Sequence, residues 1–319
     1  MQPHLLGDVS HRLQAAALRG AAGVLRRLGP VLSSNLGGLV ARTLGPRLPV
    51  SRIADANLRR ALPELGAPER ARVIRAVWDN LGRTSAEMPH LGGFRRTGQG
   101  PGWEIEGEEQ IEALRAQGTQ VLFFSGHFGN WEMILPIAAG LGLTVAGFYR
   151  SASSARVETV VQSMRQNALS PRVSMFAKGA RGAREALLHL EHGGSLGLLV
   201  DQKMNDGIPV AFFGRTAMTA PALAQFALRF CSPIVPVRVV RLGPARFRMV
   251  CEPPLAVPLT GDRRADVHAL TRAVNATLEH WIRADPGAWL WLHRRWPKES
   301  PPGSSGRIEP SQASERQER

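Results

Sequence analysis

The sequence predicts an α/β fold, a mixed sheet flanked by helices with a helical appendage at the N-terminus. From Trp103 onward, short apolar runs of strand composition alternate with helical stretches, which is the order typical of α/β proteins. Before residue 100 the predicted elements are helices. A chain of 319 residues is long enough to bury a full core. We therefore divide it into a basic helical region over 1–100, an α/β domain over 101–296 and a disordered tail over 297–319.

The first predicted helix covers residues 12–32. Apolar residues recur there at helical spacing, while the arginines lie off that stripe. The stripe consists of Ala21, Val24, Leu25 and Leu28. Such a basic amphipathic helix either lies on anionic lipid or packs on the domain, and the sequence leaves both open. Two further helices, over 51–62 and 68–81, are predicted to cap the α/β domain.

The α/β domain is predicted to contain strands and helices in alternation. The predicted strands are 121–125, 144–149, 196–201, 234–241 and 246–252. The predicted helices are 130–141, 156–166, 181–192, 220–230 and 266–283. Residues 297–319 hold Pro, Ser, Gly and mixed charges without periodicity, a composition typical of disorder.

The net charge of +14 favours an anionic partner, which could be nucleic acid, an acidic membrane surface or an acidic protein. Nucleic acid is the least favoured, because the chain has one tyrosine and none of the common nucleic-acid-binding signatures. The chain has two cysteines, Cys231 and Cys251, and their spacing is not that of metal ligands. Neither a zinc site nor a disulfide scaffold is therefore expected, and this cysteine content is compatible with a reducing cytoplasm. Charges within the first twenty residues argue against a secretory signal, and the uncharged run 28–41 is too short for a transmembrane helix.

A candidate general base lies in the segment Gly126-His127-Phe128-Gly129-Asn130-Trp131-Glu132. An apolar strand precedes it and an apolar helix follows, so His127 falls at the strand end and Glu132 in the first helical turn. An imidazole oriented by a carboxylate can take a proton from an attacking hydroxyl, as acyl transfer from a thioester or ester requires. A histidine beside a glycine is also common in ordinary turns. The segment alone therefore leaves both interpretations open.

Four blocks, in order, resemble the lipid A biosynthesis acyltransferases, the late acyltransferases of bacterial outer-membrane lipid assembly. The first is the His127 segment, with the histidine–four residues–acid motif. The others are Tyr149-Arg150, then 201–208 running into 212–219, and finally 285–296 with its closing tryptophans. The resemblance spans roughly residues 50–297. It implies a glycerolipid-acyltransferase-like fold and makes 101–296 the catalytic domain, with His127 as base and Glu132 as the acid that orients it.

The resemblance and the local chemistry suggest further substrate-binding or oxyanion-stabilising residues. Arg150 ends a strand, where it could stabilise an oxyanion or grip a phosphate. Asp201 ends another strand and either orients a ligand or anchors a loop. The remaining candidates are Asn130 and Gln202 in the matching blocks, Lys178, Lys203 and Arg215 as phosphate contacts, and Phe213 with Gly214 as lining of an acyl groove. His293 ranks below His127, because its own motif supplies no neighbouring acid.

The implied reaction moves a fatty acyl chain from acyl carrier protein to a hydroxyl of a lipid A precursor. It proceeds without a covalent acyl-enzyme, a metal or an organic cofactor, at the cytoplasmic face of the inner membrane, where the enzyme is peripheral. Acyl carrier protein is acidic, so the positive net charge of the chain would attract it. Two alternatives remain: acylation of another membrane lipid, such as a lysophospholipid or an aminolipid, and a non-catalytic lipid-binding relative.

Overall fold

A computed structural model of the chain describes residues 3–150, 154–258 and 260–297. The helices are α1 (Pro3–Leu28), α2 (Pro30–Leu44), α3 (Ser51–Ala61), α4 (Ala67–Glu87), α5 (Glu108–Ala116), α6 (Ile134–Gly140), α7 (Ala155–Gln166), α8 (Ala180–Glu191), α9 (Ala222–Phe230) and α10 (Arg263–Ala284). The strands are β1 (Gly102–Glu106), β2 (Leu122–Ser125), β3 (Val145–Tyr149), β4 (Val173–Ala177), β5 (Ser195–Leu199), β6 (Ile208–Phe212), β7 (Arg215–Thr219), β8 (Ile234–Gly243) and β9 (Arg246–Cys251). The predicted tail 297–319 lies outside the described residues except for Pro297.

Seven of the described strands form one sheet in the order β1-β9-β8-β2-β5-β3-β4. Neighbouring strands run parallel except for β8 and β9, which are antiparallel. The predicted α/β class with a mixed sheet and flanking helices is therefore confirmed. Because β2, β3, β4, β5 and β8 are parallel, their carboxyl ends meet at one edge, the usual place for a ligand site in this architecture.

Successive side chains of β2 point to opposite faces of the sheet, and each face has its own core. Phe124 stacks on Trp281 of α10, with ring centroids 5.9 Å apart. Phe123 lies on the other face, in the core that contains Ile137 of α6. Both cores are apolar, so the short strand is held on two sides and the loop that follows it leaves the sheet at a fixed place.

Most predicted elements of the α/β domain lie within a few residues of the observed ones. The predicted helix 130–141 begins as a 3₁₀ turn at Trp131–Met133 and continues as α6. The elements that were not predicted from the sequence are β1, α5, β4 and the β6–β7 hairpin. That hairpin is a separate two-stranded sheet, and its turn is made by Phe213 and Gly214, both with positive φ. Phe-Gly is not among the turn sequences that mark a hairpin, which explains the omission.

The predicted helix over 12–32 is interrupted. Gly29 has φ of +77° and Pro30 starts α2, so the chain turns between two helices. In α1, Ala15 and Ala22 are buried against α7, whereas Val24 and Leu28 of the predicted apolar stripe are exposed. Among the described residues, we find no helix with both the length and the apolar composition to cross a bilayer.

Helix α2 packs on α4 through its small residues. A side chain on Gly37 would overlap the carbonyl group of Gly82, and one on Gly82 would overlap that of Gly37. Ser33 and Ser34 are fully buried on the same side. The large apolar side chains of α2 are consequently exposed: Val31, Leu32, Leu36, Leu39, Val40 and Leu44. We call these six residues the α2 apolar face.

Candidate active site

The site is built where β2 and β5 end side by side. The two strands are parallel and in register from Leu122 opposite Leu196 to Ser125 opposite Leu199. His127 follows β2 and Asp201 follows β5, so both side chains project from the same edge of the sheet. His127 Nδ1 lies 2.8 Å from Asp201 Oδ1, and the His127 backbone N–H donates to Oδ2 at 2.9 Å. The carboxylate thus fixes both the loop and the imidazole ring.

The charge state of this pair follows from its surroundings. Burial alone would lower the pKa of His127, but the charge of Asp201 and its hydrogen bond raise that pKa above the ordinary value, with a further contribution from Glu132. Burial opposes ionisation of Asp201, yet His127 lowers the pKa of Asp201 well below its usual range. Asp201 is therefore an anion that supports a positive charge on His127.

Glu132 does not hold His127. Its carboxylate accepts two hydrogen bonds from Arg165, at 2.8 and 2.6 Å. The prediction that Glu132 orients His127 is therefore wrong in geometry, because Asp201 occupies the Nδ1 side of the ring. The physical reason is the sheet: two adjacent parallel strands deliver His127 and Asp201 to one edge, whereas the turn Trp131–Met133 directs Glu132 toward α7. Glu132 acts on His127 through its charge, which raises the pKa of the imidazole.

Two glycines allow this loop to pack closely. A Cβ on Gly126 would lie 3.1 Å from the side chain of Asp201 and 2.8 Å from Phe128. Gly129 has φ of +52°, and a Cβ there would overlap the carbonyl group of Val239. The backbone of Gly129 is also held by α4, because Asn80 and Thr84 both donate to its carbonyl oxygen. The glycines of the motif are thus required by close contact.

The closing block of the sequence completes the site. The indole of Trp289 donates to Asp201 Oδ2 at 2.7 Å. Phe128 and Trp289 form an antiparallel bridge, in which the Leu290 N–H donates to the His127 carbonyl oxygen at 3.1 Å. Trp289 is fully buried. It therefore positions Asp201 and, through it, His127.

A cavity opens beside His127. It has an empty volume of about 840 Å³, which includes its open mouth. His127, Glu132, Arg150 and Arg165 supply its charged wall. Ser125, Trp131 and Tyr149 also line it. The remaining wall is apolar and comes from the sheet and α6: Phe123, Phe124, Ile134, Leu135, Gly147, Phe148, Met175, Gly197, Leu198, Leu199 and Val237. A charged mouth on an apolar interior suits an amphiphile with a reactive polar end.

Several other candidates lie near this cavity. Arg150 directly follows β3, is exposed and lines the mouth. The side-chain nitrogen of Gln202 lies 3.4 Å from His127 Nε2, the ring nitrogen that Asp201 leaves available. Lys178 follows β4, is exposed, and its charge opposes protonation of His127. Lys203 is half-buried beside Gln202.

Phe213, Gly214 and Arg215 are not part of the cavity. Phe213 is buried, its N–H donates to Glu279 of α10 at 2.7 Å, and its ring packs near Trp296. Gly214 and Arg215 are exposed at the β6–β7 turn. The prediction that Phe213 and Gly214 line an acyl groove is wrong, because the hairpin docks on α10 instead of on the face of the sheet that carries the cavity. The structure gives no contact between Arg215 and the candidate base.

Asn130 is also a structural residue. It is fully buried, and its amide nitrogen donates to Glu87 Oε2 at 2.8 Å. Arg241 pairs with the same Glu87 carboxylate, which receives the Ala245 N–H as well. This arrangement ties the loop after His127 to α4 and the sheet. The predicted contact between Asn130 and substrate is therefore not supported, since its side chain points away from the cavity.

His293 is a poor base. Its Nδ1 lies 3.0 Å from the carbonyl oxygen of Leu290, and burial lowers its pKa. Two contacts of the site were not predicted: the ion pair of Glu132 with Arg165, and the hydrogen bond from Trp289 to Asp201. The sequence signal for the contact between His127 and Asp201 was that each residue follows a predicted strand. An acid at the end of one parallel strand and a histidine at the end of another can meet if the strands are neighbours, but strand order cannot be read from a single sequence.

The fold and the site define a class: an α/β protein with a carboxylate-oriented histidine at the mouth of an apolar cavity, as a histidine-dependent acyltransferase requires. The bacterial lipid A biosynthesis acyltransferases match residues 13–298, and the chain belongs to that family. The resemblance drawn from the four sequence blocks is thereby confirmed. No curated protein matches the chain.

Proposed function

We propose that this protein transfers a fatty acyl chain from acyl carrier protein to a hydroxyl group of a lipid A precursor. The observation that supports the reaction most is His127 at the cavity mouth, with Nδ1 held by Asp201 and Nε2 turned away from that carboxylate. The family supports an acyltransferase of lipid A biosynthesis. The donor, the acceptor hydroxyl and the steps of the reaction are our proposal.

His127 Nε2 takes the proton from the acceptor hydroxyl as its oxygen attacks the thioester carbonyl. Asp201 stabilises the imidazolium that forms, because it is held as an anion and lies 2.8 Å from Nδ1. The tetrahedral intermediate then collapses, the C–S bond breaks, and the imidazolium returns its proton to the thiolate leaving group. Arg150 at the mouth is the cation placed to stabilise the oxyanion.

Direct transfer to the acceptor fits the state of two potential nucleophiles, the buried Cys251 of β9 and Ser125 at the cavity wall. Burial raises the pKa of the Cys251 thiol to about 12, so it is not a thiolate at neutral pH. The hydroxyl of Ser125 lies at the cavity wall and donates to the Gly126 carbonyl oxygen at 3.4 Å. Neither residue has the activated arrangement of a covalent catalyst. We therefore assign attack to the acceptor hydroxyl and no covalent acyl-enzyme to the reaction.

Peripheral attachment to the inner membrane is the location we propose. The α2 apolar face and the exposed Val24 and Leu28 supply apolar contact, and Arg26 and Arg27 lie exposed at the end of α1. A helix of this kind lies in the membrane interface with cations near the headgroups. The attachment surface therefore extends from α1 into α2.

The function is tested with purified His127→Gln and Glu132→Gln proteins. Loss of the base should reduce kcat/KM by about 10²- to 10⁴-fold. Loss of the Glu132 charge should also remove most activity, because it releases Arg165 at the cavity mouth and withdraws a charge that favours the imidazolium. The assay measures transfer from acyl carrier protein to a lipid A precursor by mass spectrometry.

Glu185→Gln is the matched control, because Glu185 forms an exposed ion pair with Arg181 on α8. It should transfer acyl groups at the normal rate. Near-normal turnover by a folded His127→Gln protein would overturn the proposed function. Normal turnover by Glu132→Gln alone would restrict the catalytic group to His127 and Asp201.

A further inference from the structure

Two glycines face each other across neighbouring strands beneath the cavity. Gly147 of β3 and Gly197 of β5 are direct partners in the parallel ladder. The same row continues to Met175 of β4 on one side and to Phe123 of β2 on the other. All four residues line the cavity beside His127. Glycine weakens a strand interior, and where it occurs there it often marks the close approach of a ligand.

The glycine pair opens a hollow in the sheet. Side chains at these positions would project into the space between the sheet and α6, where Leu135 lies. A second, narrower cavity adjoins the first and shares Phe123, Ile134, Leu135, Gly197 and Val237 with it. It continues to Ile111 and Met249 and has no exposed polar surface. An apolar path therefore runs from the mouth at His127, over the glycine pair, toward α5.

We propose that Gly147 and Gly197 set the longest acyl chain that this enzyme transfers efficiently, by leaving space for the distal methylene groups between the sheet and α6. The proposal rests on the proposed function, because it places the donor's acyl chain in the cavity with its carbonyl group at His127. In an apolar pocket, one methylene too many or too few changes selectivity by about 10- to 200-fold. One added side chain in the hollow is therefore enough to move the preferred length.

The two positions differ in what a new side chain would meet. A Cβ on Gly197 would have only the carbonyl oxygen of Ala146 nearby, at 3.9 Å, so it extends into open space. A Cβ on Gly147 would lie 2.9 Å from a terminal methyl group of Leu135, which would have to move. Gly197 is therefore the better probe, since its substitution fills the hollow without displacing neighbours.

The experiment measures kcat/KM of Gly197→Ala and Gly197→Val with acyl carrier protein donors of increasing saturated chain length. We expect the optimum to move to shorter chains, more for Val than for Ala, with a loss of at least about 10-fold for the longest chain that the unaltered enzyme accepts. Met175→Ala enlarges the same hollow and should move the optimum to longer chains. Gly243→Val is the matched control, because Gly243 also lies in a strand with open space around it, outside the cavity.

Binding of free saturated fatty acids, followed by competition with a fluorescent fatty acid, separates this proposal from the proposed function. If the unaltered protein transfers no acyl group but Gly197→Val shifts the binding optimum to shorter chains, the proposed function is wrong and the glycine pair still sets the length. An unchanged chain-length profile for a folded Gly197→Val protein, in transfer or in binding, overturns the proposal. An equal shift in Gly243→Val overturns it too.

Discussion

At the scale of single residues, Asp201 raises the pKa of His127, the proposed base. Below its pKa, His127 carries a proton and cannot accept another, so activity should rise with pH through that pKa. Asp201 raises it above the ordinary value of 6.5. The acid limb of the kcat/KM profile should therefore lie above pH 6.5 in the unaltered protein.

Asp201→Asn should lower activity by up to about 10⁴-fold, because an amide cannot stabilise the imidazolium as a carboxylate does. It should also move the acid limb to lower pH, since the main influence that raises the pKa of His127 is removed. Steady-state rates across a pH series measure both effects. A protein that is only destabilised would have a lower kcat/KM at every pH, while the acid limb of its profile stays at the same pH.

Asp266→Asn serves as the comparison for this test. Asp266 is a buried carboxylate at the start of α10 that accepts hydrogen bonds from Thr260 and Gly261. Its replacement should cost stability and leave the pH profile in place. An acid limb that does not move in Asp201→Asn would contradict the assigned role of Asp201.

The residue scale also shows what one sequence can predict about the site. His127 and Arg150 were selected from a motif and a strand end, which are defined by immediate neighbours in the chain, and both residues line the cavity. The carboxylate that contacts His127 could not be identified in this way. Glu132 was selected because it is five residues away in the sequence, whereas Asp201 reaches His127 because β5 is the spatial neighbour of β2. The prediction that Phe213 lines an acyl groove was wrong for a related reason. Aromatic composition fits a groove and a core equally well, and the docking of the hairpin on α10 decides between them.

At the scale of elements, α2 has an unusual distribution of side chains. Its small residues pack on α4 and its large apolar residues are exposed. A water-soluble surface helix normally has the reverse arrangement. From the sequence, a stripe that either lies on anionic lipid or packs on the domain was expected within residues 12–32. Residues 28–41 were excluded as a spanning segment by length, and a single sequence could not show which face of α2 points outward.

We predict that Leu36→Ser/Leu39→Ser weakens binding to vesicles that contain anionic phospholipid. Both side chains are nearly half exposed, at 44% and 49%, so their replacement should cost little folding stability while it removes apolar contact with the bilayer. Sedimentation with vesicles measures the bound fraction, and thermal unfolding measures stability.

Leu188→Ser/Leu242→Ser is the control pair, because both leucines are exposed elsewhere, at 48% and 39%. It should bind vesicles normally. Equal binding by the two double variants would remove α2 from the attachment surface. Retention of the unaltered protein through an alkaline carbonate wash would contradict peripheral attachment altogether.

At the scale of the whole molecule, the net charge of +14 is relevant to the donor. Exposed cations near the cavity mouth include Arg150 and Lys178. An acidic carrier protein would be drawn to such a surface, and salt would weaken that attraction. We expect kcat/KM with acyl carrier protein to fall as salt rises, with a much smaller change in kcat.

The measurement compares three donors of equal acyl length across a salt series: acyl carrier protein, acyl coenzyme A and an uncharged acyl-pantetheine. The uncharged donor should respond least to salt. Equal kcat/KM for the carrier protein and coenzyme A donors at low salt would contradict recognition of the carrier. A trapped acyl-enzyme in intact-protein mass spectrometry would contradict direct transfer.

The fold was more predictable than the site. The longer helices of the α/β domain, such as α7, α8 and α10, follow from apolar spacing over several turns, and β2 follows from a short apolar run. The elements that were missed are short or weakly patterned. β4 lies at the edge of the sheet with most of its residues only half buried, so its sequence alternates little. Within the part of the chain that the structure describes, β6 and β7 pair only with each other.

The bridge between Phe128 and Trp289 has a consequence for the order of synthesis. Asp201 receives its indole hydrogen bond from a segment near the end of the described chain, and the His127 carbonyl oxygen receives one from Leu290. On the ribosome, the amino-terminal strands emerge long before that segment does. A nascent chain that lacks Trp289 and Leu290 cannot form these two hydrogen bonds, so we expect the proposed site to be complete only after that segment has left the ribosome.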